Sequence, residues 1–210
     1  MDLGMFPDDG VNSWNTVMLL YESAIKKLRT KVEILNDEFQ QVHQYNPIEY
    51  IKTRVKTPES IVKKLKKNGY EISIPNMIEH CNDIAGVRIV CSFTSDIYQI
   101  AEMIGRQTDV TVVSIKDYIK NPKPSGYRSY HLILAVKTER RDVNGNVPGT
   151  FFVEIQIRTI AMDTWAALEH KLKYKKDIPN QELLVAELKR VADELASCDL
   201  SMQTIREIIS

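Results

Sequence analysis

Val153-Glu154-Ile155-Gln156-Ile157-Arg158-Thr159 runs on into Ala161-Met162-Asp163-Thr164-Trp165-Ala166-Ala167-Leu168-Glu169-His170. Val153, Ile155 and Ile157 alternate with Glu154, Gln156 and Arg158, a period of two that marks a strand with one apolar face and one face of acid, amide and base. Burying unpaired charge is costly, so the polar face belongs either to solvent, as on a half-exposed edge strand, or to a functional site. The following segment reads as a helix over about Ile160 to Lys175.

Upstream, a strand from about Ser129 to Lys137, the turn signal Asn144-Gly145-Asn146 and the strand Phe151 to Arg158 make a hairpin. Ile84 to Phe93 is rich in Val and Ile and reads as a central strand, followed by a helix over Ser95 to Arg106 and a strand over Asp109 to Ile115. Near the N-terminus, Ser13 is a natural cap for a long helix. Its apolar stripe, Val17, Leu20, Tyr21, Ala24, Leu28, Val32, Leu35, Phe39 and Val42, ends before Asn46-Pro47. Pro58 to Asn68 forms a short basic helix closed by Gly69, and Gln181 to Ile209 a long amphipathic one carrying Leu184, Leu188, Val191, Leu195, Met202, Ile205 and Ile209. The class is α+β, a mixed sheet of about five strands with flanking helices. The expected division is a leader and N-terminal oligomerisation helix over 1–44, a central domain over 45–178 and a C-terminal helix over 179–210 that packs on the domain or on a neighbouring subunit. Stripes of this length exceed what a small sheet covers, which favours a homo-oligomer.

Lys plus Arg equals Asp plus Glu at 28 each, so any anion site is local and charge gives no case for a general nucleic-acid or membrane binder. The three cysteines, Cys81, Cys91 and Cys198, lack metal or redox spacing, and no basic leader or membrane-length apolar run occurs; a soluble cytoplasmic protein is expected.

Local charge is far from even. Seven basic residues, Lys52, Arg54, Lys56, Lys63, Lys64, Lys66 and Lys67, face one acid, Glu59, between positions 52 and 67. Arg54 and Lys56 lie two apart in an extended lead-in and point the same way, and Ser60 sits near a helix N-terminus, an arrangement suited to phosphate. The reading for Lys66 and Lys67 is a solvated helix face. In Asn82-Asp83-Ile84-Ala85-Gly86-Val87-Arg88 a regular strand sends Asp83 and Arg88 to opposite sides, so a shared site needs an irregularity, for which Gly86 is the natural place; a capping aspartate with a strand-end salt bridge is the plainer alternative. Lys123-Pro124-Ser125-Gly126-Tyr127-Arg128-Ser129-Tyr130-His131 sets an aromatic plane beside Lys, Arg and His, and Gly126 lets the backbone approach a flat ligand; the alternative is a loop whose tyrosines plug the core. No HExxH, His-Asp dipeptide, GxxxxGK[ST] or GxGxxG occurs, so a zinc hydrolase centre or a glycine phosphate cradle is not expected.

Arg54-Val55-Lys56, Asp83-Ile84-Ala85-Gly86-Val87-Arg88, Gly126-Tyr127-Arg128-Ser129-Tyr130-His131 and Glu154-Ile155-Gln156-Ile157-Arg158-Thr159, in this order and followed by Trp165 and Glu169-His170, resemble the synthetase domain of the RelA/SpoT homologue superfamily. The short chain without a hydrolase motif is similar to the stand-alone small alarmone synthetases of the RelP/RelQ type. The resemblance implies a nucleotidyltransferase-like sheet, a homotetramer built through terminal helices, and transfer of the β,γ-pyrophosphate of ATP to the 3′-hydroxyl of GTP or GDP with release of AMP. It further implies that Asp83 and Glu154 hold Mg²⁺ and that Glu154 is the general base. Arg54 and Arg88 would sandwich adenine, with Lys56, Ser60 and Lys64 at the ATP phosphates. Tyr127 would stack on guanine, with Lys123, Arg128 and His131 at the acceptor phosphates and Gln156 at its ribose.

Within that resemblance, Lys52 and Asp163 stand where uncharged Thr and Asn are expected in the product-activated branch; the added acid would repel a polyphosphate, so a RelP-like enzyme with weak or no product activation is expected. The alternatives are the same transfer to an adenine nucleotide or a tRNA end, and a non-catalytic nucleotide or RNA sensor. Even charge argues against tRNA, and two carboxylates argue against a mere polyphosphate binder.

Overall fold

The computed structural model describes residues 13–142, 144–173 and 180–209. The expected leader over 1–12, the helix end at Lys175 and the domain boundary at 178 lie outside the described residues.

Helix α1 (Trp14–His43) starts where Ser13 accepts a hydrogen bond from the Thr16 amide. Its stripe from Val17 to Phe39 is buried, whereas Val42 is exposed and Leu20 only half-buried. The strands are β1 (Ile48–Val55), β2 (Ala85–Cys91), β3 (Val110–Asp117), β4 (Tyr130–Thr138) and β5 (Gly149–Thr159), and the other helices α2 (Pro58–Lys67), α3 (Ile74–His80), α4 (Thr94–Gly105), α5 (Ile160–Lys173) and α6 (Gln181–Ile209). The lead-in carrying Arg54 is thus a full strand, and α3, absent from the sequence reading, is a two-turn helix capped by Ser73.

The sheet order is β1-β2-β5-β4-β3, with β2 and β5 parallel and every other pair antiparallel. The parallel pair forms the middle of the sheet, and its apolar residues Val87, Ile89, Val153, Ile155 and Ile157 join Leu132 and Leu134 of β4 in one core with α1 and α4. Since β5 has a neighbour on each side, the edge-strand reading of Glu154-Gln156-Arg158 is excluded. Side chains alternate across a strand, so burial of the apolar set against α1 and α4 turns that polar set to the opposite face.

Two expectations are corrected. No register shift occurs at Gly86, which pairs regularly with Arg54 and Glu154; Asp83 instead precedes β2 in a turn, where the Lys56 amide donating to the Ile84 carbonyl brings Lys56 beside it. The α1 stripe does not await another subunit but packs on the chain's own sheet. Helix α6 differs: Leu188, Val191 and Leu195 pack half-buried around Trp165, Ala166 and Ala192, while Met202, Ile205 and Ile209 are exposed. Its last turns dock through polar groups instead, Gln203 accepting from the Ser95 amide and Arg206 reaching Asp96, Ser95 and Tyr45.

Candidate active site

Register sets the site. Lys52 and Arg54 lie opposite Arg88 and Gly86, which in turn lie opposite Gln156 and Glu154, and His131 of β4 lies opposite Gln156. All these residues share the face away from α1, and an open cleft of about 270 Å³ is lined by Lys52, Arg54, Gly86, Arg88, Glu154 and Gln156. Gly86 has a steric role here. A Cβ on it would sit 3.4 Å from the Arg54 Cγ, so its absence lets the arginine lie across the strand.

Just past the end of β1, Lys56 donates to Asp83 Oδ2 at 2.6 Å and Lys64 to Oδ1 at 2.8 Å. Burial alone would raise the Asp83 carboxyl, but these two ammonium groups outweigh it and hold the carboxyl below its ordinary value. Helix α2 presents Lys64 because Thr57, not noticed in the sequence, caps it through the Ser60 amide; the Ser60 hydroxyl bonds Thr57 at 3.0 Å. Lys66 and Lys67 are solvent-exposed.

Glu154 is also half-buried and held below its ordinary value. Burial pushes it up, while His131, whose Nδ1 lies 3.4 Å from Oε1, and the Gln156 amide, donating to Oε2 at 2.9 Å, push it down more strongly; the Asp83 charge is near enough to oppose them. His131 therefore faces the carboxylate expected to act as base. Tyr127 bonds His131 Nε2 at 2.8 Å through its hydroxyl, and its ring carries the Lys123 ammonium 4.9 Å from the centroid and the Arg158 guanidinium at 5.2 Å.

Three residues of the acceptor motif lie elsewhere. Arg128 points away from Glu154, donating to the Ala192 carbonyl of α6 at 3.0 Å. Gly126, with φ of +90°, is approached closely by α6: a Cβ there would collide with that of Ala192. Ser129 is fully buried, its hydroxyl donating to the Ile157 carbonyl.

Sequence reasoning missed a buried network at the β5–α5 junction. Arg158 donates to Asp163 Oδ1 at 2.8 Å, to the Tyr127 hydroxyl at 2.7 Å and to Gln156 Oε1 at 2.8 Å; Asp163 also accepts from Tyr50 at 2.7 Å and lies 3.2 Å from Arg88. Burial raises Asp163, and Tyr50 with the two arginines more than offsets it. The acid expected to repel polyphosphate is thus neutralised inside the protein, so charge repulsion no longer supports weak product activation. The available signal was an acid five residues after a strand arginine, one helical turn into the next element.

A model of the region found in RelA/SpoT proteins matches residues 53–179. The chain belongs to the RelA/SpoT family. It is 44% identical to the GTP pyrophosphokinase YwaC of Bacillus subtilis, over 99% of both chains, and 37% identical to the GTP pyrophosphokinase YjbM of the same organism, over 92% of this chain and 88% of the relative. Among solved structures of this family, small alarmone synthetase 1 of Bacillus subtilis bound to its product pppGpp superposes with a TM-score of 0.81 at 35% identity, covering 93% of this chain and 97% of that one. Small alarmone synthetase 2 gives 0.80 at 43% identity, covering 93% and 99%. The α+β architecture with its mixed five-stranded sheet is the fold of these synthetases.

A divalent cation suits the donor set here. Among the described residues no group of three or more His, Cys, Asp and Glu could hold a metal, but Asp83 and Glu154 are two anionic hard-oxygen donors close enough to feel each other's charge. Such a pair leaves the remaining positions to phosphate oxygens and water.

Proposed function

We propose that this chain is a GTP/GDP pyrophosphokinase without hydrolase activity that makes (p)ppGpp as part of a stringent response. The ribose 3′-oxygen of GTP or GDP attacks the β-phosphorus of ATP, the bond between that phosphorus and its bridging oxygen to the α-phosphate breaks, and AMP leaves. The observation that carries this reading is Glu154 in the cleft on the central strands, against His131, which Tyr127 holds, and within reach of the charge of Asp83 with its two lysines.

On the donor side, Arg54, paired with Gly86, and Arg88, two residues further along β2, line the same cleft and hold the adenine. Lys56, Lys64 and Ser60 hold the polyphosphate, the lysines exchanging Asp83 for phosphate oxygens. The buried Arg88 Nε has no hydrogen-bond partner among the described residues, which suits it to donate to a ligand. On the acceptor side Tyr127 stacks on guanine once the exposed Lys123 swings from its ring towards phosphate; Gln156 lines the ribose, with Arg128 and His131 towards the phosphates. Arg128 reaches them only on leaving Ala192.

Asp83 and Glu154 would hold Mg²⁺, which when bound neutralises charge on the transferred group and acidifies the attacking hydroxyl. Glu154 is too weak a base to ionise a free ribose hydroxyl beforehand, so it accepts the proton late, as the oxygen–phosphorus bond forms. The assembly is a cytoplasmic homotetramer built through the C-terminal helix, which the exposed apolar residues of α6 support. In this reading 1–44 and 179–210 carry the terminal helices and 45–178 the catalytic sheet.

The test is incubation with Mg²⁺, γ-labelled ATP and, separately, GDP, GTP, adenine nucleotides and tRNA, with products separated by chromatography. Label on guanine nucleotides with matching AMP release is expected. Label on another acceptor would retain the chemistry and overturn the substrate, and no transfer despite measured nucleotide binding would leave a sensor.

A further inference from the structure

Arg158 and Asp163 are only 4% and 5% exposed, and neither has a place in the substrate contacts proposed above. A buried ion pair is a poor means of stabilising a fold, since its desolvation cost rivals its attraction; a role in specifying geometry accounts better for so many directed contacts. Two arms leave Arg158 and converge on the same carboxylate. One runs from Nη2 to the Tyr127 hydroxyl, on to His131 Nε2, and from His131 Nδ1 to Glu154 Oε1; the other runs from Nη2 to Gln156 Oε1 and from Gln156 Nε2 to Glu154 Oε2. The second arm fixes which way the Gln156 amide faces, because its oxygen must meet the guanidinium and its nitrogen the carboxylate. On the other side of the pair, Asp163 meets Arg88 and holds the Tyr50 hydroxyl.

We infer that Arg158 and Asp163 are positioning residues that fix Glu154, Tyr127 and Gln156 on the acceptor side relative to Arg88 on the donor side. The inference rests on the pyrophosphate-transfer reading. Rigid placement of this kind matters because in-line transfer draws its rate from orientation, and a misplacement of about 1 Å can cost ~100-fold. Only an arginine fork with a carboxylate at its back serves both arms; a lysine keeps the charge and loses the geometry.

The test compares Arg158→Lys and Asp163→Asn with wild type in steady-state transfer from ATP to GDP, with near-ultraviolet circular dichroism to measure the folded fraction. For Arg158→Lys a fall in kcat of about 10- to 100-fold with a raised KM for GDP and little change in KM for ATP is expected; for Asp163→Asn the KM for ATP rises as well. A merely structural pair would lower activity only in proportion to folded protein, with both KM values unchanged, and that result overturns the inference. Should either variant fail to fold, Tyr127→Phe cuts one arm while keeping the stacking ring: lowered kcat with GDP binding retained is expected, and wild-type kcat is contrary. Wild-type protein inert towards every acceptor would remove the transfer reading itself, whereas active wild type with unaffected variants removes only the positioning role.

Discussion

Asp83, Glu154 and Asp163 are three carboxylates withdrawn from water yet held below their ordinary values, each by a different partner set. The sign of the consequence is fixed. An acid that titrates lower in the folded state than in the unfolded one contributes stability above the unfolded value, near 4, and loses it as pH falls through the folded value. The difference in unfolding free energy between wild type and Asp163→Asn should therefore shrink as pH falls from about 6 towards about 3. Comparing the two proteins cancels groups of opposite sign such as Asp96, which burial pushes up to about 7. Urea titrations across that range check this, and a difference that grows in acid would contradict the pairing. At this scale the motifs were legible because their residue types are chemically unusual side by side. The meeting of His131 with Glu154 was not, since the connection from Thr138 to Gly149 is long and its turn at Asn144–Asn146 does not fix which residues pair across the hairpin.

Periodicity gave most elements, and where it misled the cause is tertiary. Strand β1 is exposed along much of one face as the bearer of Lys52 and Arg54, so it lacks the alternation that identifies a strand. Helix α3 is too short for a helical period to show. In α6, regular spacing left open whether the stripe packs on the domain or on another subunit, and it did not foresee that the terminal turns are oriented by Arg206, whose guanidinium lies over the Tyr45 and Phe93 rings and meets Asp96 at the start of α4. Gly126 ties the other half of α6 to the acceptor loop. Gly126→Ala combines a positive φ with a collision against Ala192, and a loss of about 1–3 kcal/mol in urea unfolding is expected, with the greater exchange protection lost in α6. Unchanged stability would mean that α6 does not rest on this loop.

For the molecule as a whole, one face of the sheet holds the core and the other the candidate site, and the parallel strands β2 and β5 place that site at the middle of the sheet, where neighbouring half-buried charges act through little solvent. Leu200, Met202, Ile205, Ile208 and Ile209 leave an apolar surface along the end of α6, and burial of that surface between copies is expected to give a tetramer in light scattering. Ile205→Lys with Ile208→Lys should dissociate it, and a monomeric wild type at micromolar concentration would refute the assembly. The most direct test of the site is Glu154→Gln, which keeps the shape of the side chain and removes its capacity to take a proton. Calorimetry with GDP and a non-hydrolysable ATP analogue should show both nucleotides still bound while AMP release is abolished; undiminished AMP release would take Glu154, and the polar face built around it, out of the reaction.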